Sequence, residues 1–248
     1  MARILGVIPA RLGSTRLPRK PLRTICGQPM IDWVYWRARQ AACLDLLLVA
    51  TDAEEIFTYC RQHSIPVMMT SAAHQSGTDR IVEVMTREPA DIYVNVQGDE
   101  PMITPEHIEL LQLPFRDFPE TQVTTLKVPI GVEEARNPND VKVVTDLQGH
   151  ALYFSRALIP CDRDASGGVR YYKHLGLYAY SAAALEKFRA LSPSPLEQNE
   201  KLEQLRFLEH GIPIVVVETT HDTIGVDTEE DLKKVEEYFG RAGYVPKL

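Results

Sequence analysis

Short apolar runs alternate with helical patterns through the first hundred residues, and nothing else in the chain constrains its fold as much. Residues 4–8, 46–50 and 67–69 carry no polar side chain, and 92–96 carry Asn95 among apolar residues, as strands buried on both sides do. Between them Pro29 can open a helix with Met30, Val34, Ala38 and Ala41 in register. Residues 53–63 have helical spacing, 78–87 place Ile81, Val84 and Met85 on one face, and Thr104-Pro105-Glu106 is a helix start. Strand and helix taking turns at this spacing predict an α/β fold, a mixed and mostly parallel sheet with helices on both faces.

From about residue 120 the pattern changes. Residues 123–129, 141–145 and 151–155 read as strands, with Asp146-Leu147-Gln148-Gly149 a hairpin turn between the last two. The polar, glycine-bearing stretch 162–168 is the expected mobile loop, and 171–180 is a further strand. Helical patterns at 182–190 and 197–210, an apolar run at 212–217 and a helix after Asp227 complete the chain. No repeat, low-complexity tract or linker divides it. The expectation is one domain, residues 1–248, with an antiparallel piece inserted in its second half.

Composition removes several classes of function. An apolar fraction of 44% with 25% charged residues excludes a disordered chain, and no apolar run approaches the roughly 18 residues that span a bilayer. The opening MARILGVIPA lacks a small-residue cleavage pattern, so no signal peptide is expected. The four cysteines form no CxxC pair or metal spacing. These features predict a cytoplasmic protein without a membrane partner. The net charge of −7 argues against binding nucleic acid. Yet residues 1–31 hold six cations (Arg3, Arg11, Arg16, Arg19, Lys20 and Arg23) and no acid, leaving −13 for the other 217 residues. A cationic segment on an acidic protein suggests a site for a small polyanion.

In open parallel sheets ligands bind beyond the carboxyl ends of the strands. The loop after the first strand, Pro9 to Pro21, fits neither GxxxxGKS/T nor GxGxxG. It is either a solvated basic loop or a triphosphate cradle with arginine and lysine donors, and its place after a buried strand favours the cradle. Gln97-Gly98-Asp99-Glu100-Pro101 ends another buried strand and is either a turn or the carboxylate of a Mg²⁺ site. In Gly225-Val226-Asp227-Thr228, Asp227 or Thr228 is a good N-cap, and Asp227 becomes a metal ligand only if the fold brings it to Asp99. Ser76-Gly77-Thr78-Asp79-Arg80 has the look of a helix start. Arg156, His174, Glu203 and Gln204 carry no distinctive signal alone, and Trp33, Tyr35 and Trp36 read as packing. Composition and spacing reach as far as a Mg²⁺-dependent phosphate-handling enzyme.

Taken in order, IPARLGSTRLPRKPL, VATD, SGTDRI, VNVQGDEPMI, VKVV, ALYFSRALIP, KHLGLYAY, SPLEQNEKLEQLR and GVDTEEDL resemble the 3-deoxy-manno-octulosonate cytidylyltransferase family, the CMP-KDO synthetases. The resemblance runs over nearly the whole chain, with Arg19 standing where the family commonly has glycine. It implies a nucleotide-diphospho-sugar transferase fold, a homodimer, and a reaction of CTP with KDO that yields CMP-KDO and pyrophosphate for lipopolysaccharide synthesis. Residues 1–120 would be mainly the CTP half, and 121–248 the sugar-binding and dimerisation half. By the same likeness Ala10, Arg11, Ser14, Arg16, Lys20, Ser76, Arg80 and Gln97 surround the nucleotide. Arg156, His174, Glu203 and Gln204 surround the sugar acid, and Asp99 and Asp227 hold Mg²⁺. Arg11, Lys20, Asp99 and Asp227 are the expected catalytic set.

Chemistry agrees with that assignment. A triphosphate and a sugar carboxylate together carry on the order of five negative charges, which repel in a partly desolvated site unless neutralised. One Mg²⁺ on Asp99 and Asp227 would face the α-phosphate and the sugar's anomeric hydroxyl. A second on the β- and γ-phosphates, with Arg11, Arg16 and Lys20, would ease departure of pyrophosphate. Cytidylyl transfer to 8-amino-KDO or sialic acid is the nearest rival. More distant ones are a sugar-phosphate nucleotidyltransferase and a silent nucleotide-binding regulator.

Overall fold

A computed structural model describes residues 2–14, 16–74, 76–164 and 167–243. In chain order the elements are β1 (Ile4–Ala10), β2 (Thr24–Ile25), β3 (Gln28–Pro29), α1 (Met30–Ala38), β4 (Leu46–Thr51), α2 (Glu54–Gln62), β5 (Val67–Met69), α3 (Gly77–Arg87), β6 (Ile92–Asn95) and α4 (Pro105–Asp117). They continue with β7 (Val123–Ile130), α5 (Val132–Ala135), β8 (Lys142–Thr145), β9 (Ala151–Ser155), β10 (Tyr171–Ser181), α6 (Ala182–Ala190), α7 (Pro195–Glu200), α8 (Leu205–Glu209), β11 (Ile214–Glu218) and α9 (Glu229–Ala242). These make two compact units. One runs to Glu109 and takes back the chain from Thr223, and the other is Leu110–Asp222. The boundary falls inside α4, and the expected halves 1–120 and 121–248 cut the chain differently because its last helix folds with its first strands.

In the first unit β4 and β6 flank β1 and β5 flanks β4, every pairing parallel, with Leu5 opposite Leu46 and Ile4 opposite Ile92. Leu5, Val7, Ile8, Val49 and Val94 are fully buried, which is why these strands lack a polar face. A second core forms where α9 meets α1 and β2: Leu17, Ile25, Met30, Trp33, Val226, Val235 and Phe239. Trp33 stacks on Phe239 at 4.3 Å, and its indole N–H donates to the carbonyl of Ile25 at 2.8 Å, so the ring is buried with its one donor satisfied. Pro29 precedes α1 as its capping residue, and the helix ends at Ala38, short of the expected Ala41.

In the second unit β11 runs parallel to β7, whereas β7–β10, β10–β8 and β8–β9 are antiparallel, the inserted piece read from the sequence. The hairpin at 146–149 closes through Asp146, whose carboxylate accepts from the backbone N–H groups of Gln148 and His150, with Gly149 at φ 86°. The single helix expected at 197–210 is two. Lys201 adopts a left-handed conformation, and α7 turns into α8 around a buried Glu197–Arg206 pair at 2.5 Å. That corner lets Leu202, Leu205 and Phe207 all face inward. The expected loop 162–168 contains Ala165 and Ser166, which lie outside the described residues.

Candidate active site

The carboxyl ends of β1 and β6 lie side by side in the first unit, and the local sequence draws the neighbouring loops onto them. A Cβ at Gly98 would sit 2.7 Å from the carbonyl oxygen of Pro9, so only glycine lets the 97–100 loop approach β1 so closely. A Cβ at Gly77 would lie 3.4 Å from the Pro9 ring, which puts the start of α3 beside the same strand end. Ala10, Ser76, Gln97 and Asp99 are thereby gathered. The fourth segment arrives from far along the chain: the N–H of Val226 donates to the carbonyl of Asp99 at 2.9 Å. Asp227 follows, and then a capping box in which Thr228 Oγ1 accepts from the N–H of Asp231 while the Asp231 carboxylate accepts from those of Thr228 and Asp227.

Asp99 and Asp227 converge on one cation. Lys20 Nζ donates to Asp99 Oδ2 at 2.7 Å and to Asp227 Oδ1 at 2.8 Å, while Arg16 pairs with Asp227 Oδ2 at 2.9 Å. Burial opposes the charge on Lys20, but the two carboxylates outweigh it and hold the ammonium above its ordinary range. Burial likewise opposes ionisation of Asp227, and Lys20 followed by Arg16 keeps its carboxyl below the usual range. Asp227 is therefore anionic near neutrality. No group of three or more His, Cys, Asp or Glu that could hold a metal occurs among the described residues. A pair of carboxylates fits a Mg²⁺ ion whose shell is completed by phosphate oxygens and water.

The other expected nucleotide residues divide into exposed and internal ones. Arg11 is exposed just after β1, and Ser14 Oγ accepts from the N–H of Leu17 at 3.3 Å to fix the loop. Ser76 caps α3, its hydroxyl accepting from the N–H of Asp79. Arg80 is 3% exposed and committed internally, donating to Thr70 Oγ1 at 2.5 Å and to Asp52 at 3.1 Å. It supports the loop ahead of α3 from within, and its partner Asp52 is the acid of the VATD stretch, a role the sequence reading did not assign.

In the second unit the residues expected around a sugar acid lie on linked elements. Arg156 follows β9, where Glu200 of α7 accepts from its backbone N–H at 3.0 Å and from Ser155 Oγ at 2.6 Å. The Arg156 guanidinium donates to the carbonyls of Glu200 and Pro138. Lys142, fully buried and not anticipated as a positioning residue, donates to the carbonyls of Asn137, Asp140 and Arg156. Glu203 and Gln204 open α8, which lies against β9. Gln204 is buried, and its amide nitrogen has no hydrogen-bond partner among the described residues. His174 on β10 meets Phe154 edge-on at 4.9 Å, and burial pushes its pKa down to about 3, so the ring is neutral. Thr125 Oγ1 already lies within reach of two carbonyls, at 2.8 and 3.2 Å, and has one proton to give. His174 Nε2 therefore donates to Thr125, and Nδ1 is left as an acceptor.

Comparison with known proteins identifies the family. The family profile described as cytidylyltransferase matches residues 5–220. A protein of Acidobacterium capsulatum named 3-deoxy-manno-octulosonate cytidylyltransferase is 58% identical over 94% of this chain and 95% of its own length. One of the same name from Lawsonia intracellularis is 51% identical over 93% and 92%. Among solved structures, a CMP:2-keto-3-deoxy-manno-octonic acid synthetase complexed with CTP superposes with a TM-score of 0.94 at 45% identity, covering 97% of this chain and 100% of that one. A cytidylyltransferase from Leptospira borgpetersenii, at 15% identity, 97% and 88% coverage and a TM-score of 0.65, shares the fold.

Proposed function

The chain belongs to the cytidylyltransferase family, with the octulosonate enzymes among its relatives, and from that premise we propose that it transfers CMP from CTP to the anomeric hydroxyl of KDO, giving CMP-KDO and pyrophosphate for lipopolysaccharide synthesis. The observation that carries this reading is the meeting of Asp99 and Asp227 on Lys20, beside the end of β1 and next to Arg16. In the reaction the anomeric hydroxyl releases its proton to solvent, its oxygen forms a bond to the α-phosphorus, the bond from that phosphorus to the β-bridging oxygen breaks, and pyrophosphate leaves with the pair. Arg11, Arg16 and Lys20 bind the triphosphate, and their fixed charges favour the departing pyrophosphate. Ala10, Ser76 and Gln97 line the place of the nucleoside, with Arg80 holding that wall from behind.

Asp99 and Asp227 would hold Mg²⁺, with a second ion when both substrates are bound. The metal would supply charge neutralisation at phosphate and acidify the attacking hydroxyl. Arg156 pairs with the sugar carboxylate. The unpartnered amide of buried Gln204 and the acceptor Nδ1 of His174 suit sugar hydroxyls, with Glu203 beside them. The enzyme works in the cytoplasm as a homodimer. No helix among the described residues is long and apolar enough to cross a membrane, and Leu147 and Leu152 of the β8–β9 hairpin are exposed apolar side chains suited to a subunit contact.

The test is pyrophosphate release from CTP with KDO, 8-amino-KDO and sialic acid in turn, with and without Mg²⁺. KDO with Mg²⁺ is expected to give the fast reaction, and Asp227→Asn to slow it about a hundredfold or more while the protein stays folded. Release with sialic acid alone, or undiminished turnover in Asp227→Asn, would refute the reading.

A further inference from the structure

Lys20 differs from the other cations of its loop. Arg16 and Arg19 have side chains 66% and 63% exposed, as solvated surface pairs do, whereas the Lys20 side chain is 14% exposed. It is held there by a tight turn, in which the N–H of Leu22 donates to the carbonyl of Arg19 at 2.9 Å and that of Arg23 to the carbonyl of Lys20 at 3.1 Å. The two carboxylates it joins remain open, 34% and 44% exposed. Its ammonium takes one oxygen from each acid, Asp99 Oδ2 and Asp227 Oδ1, at 2.7 and 2.8 Å. A small divalent ion bridging the acids through the same oxygens would need them at about 2.1 Å. An ammonium and a divalent ion sharing two oxygens would stand within a few ångströms of each other, where like charges repel strongly. One must leave for the other to bind.

Resting on the metal site read above, we propose that the Lys20 ammonium is the resident cation of the Asp99–Asp227 pair, and that a divalent ion takes the pair well only once a triphosphate has drawn Lys20 away. In the free protein Lys20 offsets the repulsion of two neighbouring carboxylates and keeps them aimed at one point. An incoming triphosphate offers the ammonium a richer anion within the reach of its flexible stem. Lys20 then serves phosphate while its former partners serve metal. Metal and nucleotide are thereby coupled through one side chain, and the free protein binds metal weakly.

The test is Mn²⁺ binding to nucleotide-free protein, followed by electron paramagnetic resonance, with Mn²⁺ standing in for Mg²⁺ on oxygen ligands. Lys20→Met is expected to bind Mn²⁺ about tenfold more tightly than the parent, an ordinary size for coupling between two ligands. Adding Asp227→Asn to it should abolish the gain. Lys20→Gln, which keeps a hydrogen-bonding group without charge, is the second variant should Met impair folding, and in either variant Mn²⁺ should raise the melting temperature more than in the parent. Equal or weaker Mn²⁺ binding in both variants overturns the proposal, even if the parent releases pyrophosphate from CTP and KDO. Tighter binding in the variants, with no pyrophosphate from the parent on any sugar acid, would instead leave Lys20 as resident cation and overturn the transferase reading.

Discussion

Arg19 shows what a single residue costs at this site. It sits in the left-handed region at φ 57°, ψ 32°, immediately before the turn that aims Lys20. A side chain there costs about 1 kcal/mol. The compensating contact is a surface ion pair with Glu55, the kind that contributes little in water. Arg19→Gly removes the strain but adds freedom to the unfolded chain, so its stability should stay within about 1 kcal/mol of the parent. Arg19→Val keeps the strain, worsens it by β-branching and loses the pair, and should cost about 1–2 kcal/mol. Urea unfolding of the two variants checks this: a valine variant as stable as the glycine one would show that the turn does not impose the left-handed conformation. The left-handed conformation became visible only with the backbone angle, since nothing local in Leu-Pro-Arg-Lys-Pro reports a positive φ.

At the scale of elements, α9 ties the Asp227 carboxylate to the core. Its first turn holds Glu229, Glu230 and Asp231, which favour the helix N-terminus, and the Thr228–Asp231 box fixes the backbone of Asp227. Its buried face is Leu232, Val235 and Phe239, with Phe239 stacked on Trp33 and covered by the Arg37 guanidinium at 5.6 Å. Phe239→Ala removes the ring that joins three elements and should cost about 3–5 kcal/mol, whereas Thr228→Ala loses one cap at about 1 kcal/mol. Denaturant midpoints compared at equal m-values measure both, and a loss below about 1 kcal/mol in Phe239→Ala would mean that α9 is only loosely docked. The parallel strands and this cap were readable because each is written in adjacent residues. The α7–α8 corner was not, because Lys201 turns left-handed without a glycine to mark it. Nor was the packing of Leu17 and Ile25 against Val226, since contacts two hundred residues apart leave no local trace. The meeting of Asp99 with Asp227 was likewise supplied by family resemblance and not by spacing.

Over the whole molecule, the charge asymmetry of the sequence is reorganised by folding. Of the six cations in the first 31 residues, Arg3, Arg16, Arg19, Lys20 and Arg23 pair with acids from elsewhere in the same unit. Among the described residues Arg11 alone of the six has no ion pair. The charge asymmetry of the sequence suggested a site for a small polyanion, but gave no sign that carboxylates pair with five of these cations. Stability against acid is set elsewhere, by His174. Phe154, Tyr178 and the Thr125 hydroxyl lie against it, Lys127 is its cross-strand neighbour on β7, and burial carries its pKa from the ordinary 6.5 to about 3. Unfolding frees the ring to take a proton that the folded protein refuses. As pH falls below about 6.5 the unfolded state therefore binds more protons, and stability declines by up to about 1.4 kcal/mol per pH unit until the folded pKa is reached. Asp227 has a depressed pKa, so its contribution is present above the ordinary carboxylate range and is lost only in stronger acid. The fall between pH 6.5 and 5 thus separates the histidine from this carboxylate. His174→Gln keeps a hydrogen-bond donor for Thr125 without a titrating ring. Urea unfolding of both proteins at pH 7.5 and 5.5, at fixed salt, should show the parent losing on the order of 1 kcal/mol more than the variant between the two conditions. Equal losses would mean that His174 accepts its proton inside the fold.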